Sequence, residues 1–119
     1  MSRVVIGLDL LEIARLERAI ERHPRLLERL FTDGERSYSE GRARPGQHLA
    51  ARFCAKEAVA KALGLSSLRF AEIEVVSTEG APEVRLSGET ASRARELGAS
   101  PVVSLTHTET TAGAVALLR

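Results

Sequence analysis

Glu57 and Lys61 are four residues apart in a stretch rich in alanine and in charged residues, which predicts a helix over residues 49–64 that Gly64 ends. At this spacing the two side chains lie on the same side of the helix, with Phe53 one turn before them. A carboxylate and an ammonium on a partly apolar stripe are costly unless each has a partner. The pair therefore predicts either a helix-stabilising ion pair or a functional site.

Lysine is scarce in this chain, which has 15 Arg but only two Lys, at positions 56 and 61. The lysine ammonium is a compact charge on a flexible stem, whereas the guanidinium of arginine is a rigid planar fork. Both exceptions lie in the same predicted helix. This placement favours a function that requires an ammonium group there.

Asp9 and His107 stand at the ends of two predicted strands. The first strand, over residues 3–10, is almost continuously apolar, which predicts a central position in a sheet. A carboxylate there is either the cap of the following helix or a metal-binding or catalytic group. His107 ends the strand over residues 101–107 and precedes a threonine-rich turn. Its imidazole therefore either bonds to that turn or belongs to an active site.

Arginines form two further groups, one in a predicted amphipathic helix over residues 12–23 and one around a predicted loop over residues 40–48. The first group has helical spacing and forms either a solvated face or a docking surface for an acidic partner. The second group can bind phosphate groups or remain solvated. The first consists of Arg15, Arg18 and Arg22, and the second consists of Arg42, Arg44 and Arg52.

The composition indicates a single domain over residues 1–119, 44% of it hydrophobic residues, with a core of aliphatic side chains. The net charge of +1 gives no general signal for nucleic acid or membrane. The single Cys54 excludes an intrachain disulfide and a cysteine zinc site, and we expect it to be buried. No signal peptide or membrane-spanning run is apparent, so we expect a soluble cytoplasmic protein.

The remaining segments predict an α+β fold, with a mostly antiparallel sheet packed against the long central helix. Thr32 and Glu35 have the spacing of a helix capping box. Gly98 ends a helix that precedes the last two strands. The other predicted elements are helical turns over 24–31 and 32–39, a hairpin of strands over 71–77 and 83–87, a helix over 88–97 and a strand over 112–118.

Three separated blocks share one pattern: Gly7–Arg15 (GLDLLEIAR), Arg52–Gly64 (RFCAKEAVAKALG) and Val103–Thr108 (VSLTHT). They resemble the signature segments of the holo-acyl-carrier-protein synthases, the small bacterial type of 4′-phosphopantetheinyl transferase. The segment Arg29–Glu35 and the turn Gly80–Pro82 also fit this family in order and spacing. The resemblance covers essentially the whole chain.

The resemblance implies that phosphopantetheine is transferred from coenzyme A to a serine of apo acyl carrier protein, with release of adenosine 3′,5′-bisphosphate, in support of fatty acid or polyketide biosynthesis. It implies a Mg²⁺ ion held by carboxylates, basic groups around the coenzyme, and an acidic carrier docked on the first helix. Family members are typically homotrimers with active sites between subunits. The positions that match are Asp9 and Glu57 for the metal; Glu57, Lys61 and His107 for catalysis; Arg42, Arg44, Arg52, Lys61, Gly64 and His107 for coenzyme A; and Arg15 for docking, which we extend to Arg18 and Arg22.

Two departures from the family pattern concern the central helix and the segment after it. Ala51 and Cys54 replace residues that are often Gly and Ala, and both replacements are small. The segment over residues 65–70 is short where many members have a longer glycine-rich loop. The alternative function is a non-catalytic α+β module that binds an anion or nucleotide, and a purely structural subunit would leave Asp9, Glu57 and His107 unexplained.

Overall fold

The computed structural model describes residues 5–119, so residues 3 and 4 of the predicted first strand lie outside the described part. The predicted order of helices and strands is confirmed, and the helix over 88–97 and the strand over 101–107 have the predicted bounds. The elements are β1 (Ile6–Glu12), α1 (Ile13–Arg22), α2 (Leu26–Leu30), α3 (Asp33–Glu40), α4 (Pro45–Leu63), a 3₁₀ turn (Phe70–Glu72), β2 (Ile73–Val76), β3 (Glu83–Leu86), α5 (Gly88–Leu97), β4 (Pro101–His107) and β5 (Thr111–Leu118). Within residues 5–119, no helix is both long and apolar enough to cross a lipid bilayer.

Helix α4 is the centre of the fold, because β1, β4, β5, α1, α3 and β2 all pack against it and bury most of its residues. It begins at Pro45, four residues before the predicted start, since proline is favoured at the first position of a helix. The loop predicted over residues 40–48 is therefore shorter than expected. Gly64 ends the helix in the left-handed conformation, with φ of 67°, as predicted.

Strand β1 passes unusually close to α4. A Cβ atom added at Gly7 would lie 1.8 Å from the carbonyl oxygen of Ala58, well inside any possible contact distance. Only glycine on the strand, facing small residues on the helix, permits this approach. The close contact brings the strand that carries Asp9 against the helix that carries Glu57.

The strands form two antiparallel sheets, one in the order β1-β5-β4 and the other a hairpin of β2 and β3. The predicted fold class, α+β with a mostly antiparallel sheet against a long helix, is confirmed. The predicted hairpin is also confirmed, although it forms a sheet of its own. The three-stranded sheet covers α4 along its length and carries both Asp9 and His107.

The predicted central position of β1 is wrong, because β1 is an edge strand of its sheet. Its continuous apolar run reflects two different faces, one against α4 and one exposed. The exposed side chains pair across β1 and β5. Those of β1 are the most exposed, with 58% to 65% of the surface of Ile6, Leu8 and Leu10 accessible. We call this exposed surface the apolar sheet face; it consists of Ile6, Leu8, Leu10, Val115 and Leu117.

Lys56 and Glu35 form an ion pair inside the protein. Lys56 Nζ lies 2.6 Å from Glu35 Oε1, and both side chains are fully buried. Lys56 also donates to two backbone carbonyl groups, and Glu35 accepts from the backbone amides of Thr32 and Val75. The bond to Thr32 completes the predicted capping box. Lys56 is therefore a structural residue, and of the two lysines only Lys61 is available for a site.

Candidate active site

Asp9, Glu57 and Lys61 meet on one side of α4. The ammonium of Lys61 donates to the carbonyl oxygen of Leu8 at 2.8 Å and lies 3.4 Å from Asp9 Oδ1. All three side chains line one cavity of about 480 Å³, together with Arg15 of α1. We call this space the carboxylate cavity.

The structure contradicts two simpler interpretations, an ion pair between Glu57 and Lys61 and a capping role for Asp9. Among the described residues the ion-pair partner of Lys61 is Asp9 of β1, and Glu57 is not its partner. Asp9 does not cap α1, since Glu12 is the residue that precedes this helix and it makes no side-chain capping bond. The three groups are therefore assembled across the strand and the helix.

The electrostatics of the carboxylate cavity disfavour two separate negative charges. Burial, followed by the nearby charge of Asp9, raises the pKa of Glu57, and Lys61 opposes this effect only in part. Two carboxylates that share one space are relieved by a cation between them. Within residues 5–119, no group of three or more His, Cys, Asp or Glu side chains is placed to hold a metal ion. The two carboxylates that line the cavity are of the kind that Mg²⁺ takes, since this ion commonly binds one or two carboxylates and completes its shell with phosphate oxygens and waters.

Other predicted site residues line a second cavity. It is lined by the side chains of Arg42, Arg52 and His107, together with Tyr38 and His48. The imidazoles of His48 and His107 are 5.9 Å apart between ring centroids, in an edge-to-face arrangement. No carboxylate is among the described residues that line it, so we call it the arginine cavity.

Arg52 is the deepest charge of the arginine cavity, with 5% of its surface exposed. It donates to the hydroxyl of Ser77 at 2.7 Å and to the carbonyl oxygen of His48 at 3.3 Å, while its Nε atom has no partner among the described residues. Burial and then the positive charge of Arg52 lower the pKa of His48. A buried guanidinium in a cavity that other cationic groups line favours the binding of an anion.

His107 behaves as a cavity residue rather than as part of the turn that follows it. That turn is held by hydrogen bonds among Thr108, Thr110 and Thr111, and the described structure contains no hydrogen bond from the His107 side chain to it. The imidazole instead packs against His48.

Three of the predicted coenzyme-binding residues, Arg44, Lys61 and Gly64, lie outside the arginine cavity. Arg44 forms an ion pair with Glu17 at 2.8 Å and also donates to the carbonyl oxygen of Glu109. Gly64 lines a third cavity at the carboxyl end of α4, which it shares with Lys61 and Arg93. Arg44 is thus occupied within its own chain, and Gly64 belongs with Lys61.

Tyr38 and His48 are cavity residues that the sequence analysis did not select. Both guanidinium carbons of the arginine cavity lie 4.0 Å from the centroid of the Tyr38 ring, and His48 packs edge-to-face on the same ring at 5.8 Å. One signal was available, since Tyr38 is the only tyrosine of the chain. The sequence around His48 contains no pattern that distinguishes it from an ordinary loop residue.

The two cavities lie on opposite sides of α4. Successive residues of an α-helix are about 100° apart around its axis, so Glu57 points away from His48 by about half a turn. The helix with its side chains is about 10 Å across, and its backbone separates the two groups of residues. One chain therefore presents two separate groups of predicted site residues rather than one continuous site.

The three arginines of α1 are exposed on the face away from the core, as their spacing predicts. Ile13 and Leu16 face the core from the opposite side of this helix. Arg15 also lines the carboxylate cavity, so the basic surface begins at the mouth of that cavity and continues along the helix to Arg22.

The sequence and the fold of the chain match a known class of transferase. The family model described as the 4′-phosphopantetheinyl transferase superfamily matches residues 5–113, and the chain belongs to this family. This membership confirms the resemblance found in the sequence and the transferase activity that it implies.

Individual relatives carry a more particular name. The holo-[acyl-carrier-protein] synthase of Moorella thermoacetica is 51% identical over 116 residues, which are 94% of this chain and 91% of the relative. A solved complex from Chronobacterium ammoniagenes, described as ACPS-CoA, has a TM-score of 0.87 at 30% identity and covers 99% of this chain and 98% of its own. The Helicobacter pylori holo-[acyl-carrier-protein] synthase in complex with coenzyme A has a TM-score of 0.81 at 29% identity, with 96% and 99% covered.

Proposed function

We propose that the protein transfers 4′-phosphopantetheine from coenzyme A to a serine of apo acyl carrier protein, in a Mg²⁺-dependent reaction that releases adenosine 3′,5′-bisphosphate. The observation that carries this proposal is the convergence of Asp9, Glu57 and Lys61 in one cavity. The family membership and the coenzyme A complexes of two structural neighbours support it. The carriers served are those of fatty acid or polyketide synthesis, and the proposed location is the cytoplasm.

The carboxylate cavity supplies the groups that phosphoryl transfer requires. Asp9 and Glu57 would hold Mg²⁺, which neutralises charge on the diphosphate when it is bound. Glu57 has a raised pKa, so it is suited to accept the proton of the serine hydroxyl, directly or through a water molecule. The hydroxyl oxygen then bonds to the β-phosphorus, and the bond from that phosphorus to the leaving phosphate breaks. The ammonium of Lys61 stabilises the negative charge that develops.

The arginine cavity supplies the other half of the coenzyme site. Arg42, Arg52 and His107 present positive or hydrogen-bonding groups to the phosphates of the nucleotide. Arg44 joins them only if its ion pair with Glu17 opens. Gly64 lies beside Lys61 at the end of α4, where its backbone would face the diphosphate.

We further propose that the protein is a homotrimer in which each active site is shared by two subunits. One coenzyme must reach both the carboxylate cavity and the arginine cavity, yet the two lie on opposite sides of α4 within a chain. A carboxylate cavity from one copy and an arginine cavity from a neighbour would complete a site. The apolar sheet face offers a surface for such an assembly, because five large apolar side chains are exposed together on it.

The carrier would dock on the exposed basic face of α1. Arg15 stands at the mouth of the carboxylate cavity, and Arg18 and Arg22 extend the positive surface away from it. Carriers of this family are acidic, so opposite charges would orient the incoming serine toward Glu57. The family model covers nearly the full chain, and we propose that residues 1–119 act as one domain with no nucleic acid or membrane partner.

Intact mass spectrometry of an apo acyl carrier protein, incubated with the protein, coenzyme A and Mg²⁺, tests the reaction. We expect the carrier to gain the mass of one phosphopantetheine group. Asp9→Ala and Glu57→Gln should each lower the rate at least about a hundredfold while the protein stays folded. The control is Glu96→Gln, which removes an exposed carboxylate of α5.

The alternative function, a non-catalytic module that binds an anion or nucleotide, makes a different prediction. It expects coenzyme A to bind with no transfer to any carrier and with no response to Mg²⁺. Equal rates for wild type and the Asp9 and Glu57 variants would contradict the assignment of the carboxylate cavity.

A further inference from the structure

The Tyr38 ring contacts both arginines of the arginine cavity. It lies on α3, and the guanidinium carbons of Arg42 and Arg52 are each 4.0 Å from the centroid of its ring. The two positive groups are therefore at most about twice that distance apart. This separation is small enough for both to contact one phosphate group or two phosphates of one ligand.

The two arginines differ in how firmly the rest of the chain holds them. Arg52 is buried and bonded to Ser77 and to the backbone of His48. Arg42 is exposed on the short loop between α3 and α4, and no ion pair to it is found among residues 5–119. The Tyr38 ring contacts the exposed Arg42 and the buried Arg52 at the same distance, so it can hold the first beside the second.

An aromatic ring is well suited to hold two like charges together. The negative face of the ring attracts a guanidinium without neutralising it, so the arginine remains free to bind an anion. A carboxylate in the same position would hold the arginines more strongly but would compete with a phosphate. Burial by itself would raise the pKa of Tyr38, but its interactions with Arg42, Arg52 and Ser77 together outweigh burial and lower it.

We propose that Tyr38 is a positioning residue that holds Arg42 and Arg52 as a paired clamp for a phosphate of the nucleotide part of the co-substrate. This inference rests on the proposed function, because it takes coenzyme A as the ligand of the arginine cavity. Tyr38 takes no part in the transfer itself. Its contribution is to order Arg42 before binding, which reduces the entropy that binding must otherwise remove.

Steady-state kinetics of two Tyr38 variants provide the test. Tyr38→Leu removes the ring, and we expect the KM for coenzyme A to rise about tenfold, with kcat and the KM for the carrier unchanged within about twofold. Tyr38→Phe keeps the ring and should restore the wild-type KM within about twofold. Binding of adenosine 3′,5′-bisphosphate, measured by calorimetry, should weaken by the same factor in Tyr38→Leu only.

A double-mutant cycle with Arg42→Ala identifies the route of the effect. If Tyr38 acts by placing Arg42, the loss caused by Arg42→Ala should be smaller in the Tyr38→Leu protein than in the wild type. If the affinity losses of the two single variants multiply in full in the double variant, the proposal is overturned. A Tyr38→Leu protein that binds like wild type would also overturn it, as would one whose kcat and two KM values all change together as in general damage.

Separate controls address the folding of the variants and the proposed function on which this inference rests. If Tyr38→Leu does not fold, Tyr38→Met replaces it, since this variant keeps a large side chain without an aromatic ring. A wild-type protein that neither binds adenosine 3′,5′-bisphosphate nor modifies a carrier would overturn the proposed function together with this inference. An active wild type with a normal Tyr38→Leu variant would overturn only the inference.

Discussion

Mixing two inactive variants should restore activity if each active site is shared by two subunits. The first variant, Glu57→Gln, has a defective carboxylate cavity, and the second, Arg42→Ala/His107→Ala, has a defective arginine cavity. The two cavities lie on opposite sides of α4, separated by a helix about 10 Å across, so each chain retains one intact half. A site in a mixed oligomer is complete when the second variant supplies the carboxylate cavity and the first supplies the arginine cavity.

The expected recovery follows from random assembly. At equal amounts, each half of a site is intact with a probability of one half, so about a quarter of the sites should be active in any cyclic oligomer. At other ratios the activity should follow the product of the two mole fractions, with its maximum in the equal mixture. The two variants are coexpressed, or unfolded and refolded together, and transfer to the carrier is followed by intact mass.

A matched mixture controls for unspecific rescue. Asp9→Ala mixed with Glu57→Gln should recover no activity, because every carboxylate cavity then lacks one of its two acids. Differently tagged copies, followed by native mass spectrometry, show that the subunits have exchanged. Mixed oligomers of the complementary variants that remain as inactive as their parents would refute the shared site.

Two further predictions concern the buried ion pair and the basic face of α1. Lys56→Met leaves its fully buried carboxylate partner without a counter-charge, so the free energy of unfolding should fall by about 3–5 kcal/mol in urea denaturation. Lys61→Met, on the exposed part of the same helix, should change it by less than about 1 kcal/mol, and equal losses for the two would contradict the assignment. Arg15→Glu/Arg18→Glu should raise the KM for the carrier at least about tenfold and weaken its salt dependence. Arg95→Glu on α5 is the control, and an unchanged KM for the carrier in the double variant would rule out docking on α1.

Local patterns were sufficient for most of the fold. The helix ended by Gly98 and the strand that follows it have strong periodicity and a clear stop signal, and both were predicted with their observed bounds. The capping box at Thr32 and Glu35 was predicted because both of its partners lie within four residues. These features depend on neighbours in sequence, which is why they can be read without coordinates.

The predicted central position of β1 was wrong for a physical reason. A strand that is apolar on both faces fits the centre of a sheet, but it also fits an edge whose outer face is covered by another molecule. The side chains of Leu8 and Leu10 have the same types in either case. Sequence pattern reports how apolar a face is, and it does not report what covers that face.

The two lysines show the same limit within one helix. Lys56 and Lys61 share the compositional signal, yet one is sealed in the core with Glu35 and the other lies in the candidate site with Asp9. They are separated by five residues and so by about 140° around the helix, and what packs on each side decides their roles. Tyr38 was missed for a related reason, since its partners come from other elements.

The contact between Gly7 and Ala58 makes the geometry of the reaction centre depend on a residue without a functional group. Side chains alternate along β1, so Gly7 and Asp9 face the same way. The distance at which Gly7 packs on α4 therefore determines how close the Asp9 carboxylate comes to the helix. Even a methyl group at position 7 would lift the strand and carry the carboxylate away from its counterpart on the helix. Loss of catalysis can therefore arise here from sheer bulk, with every charged group of the protein still in its sequence.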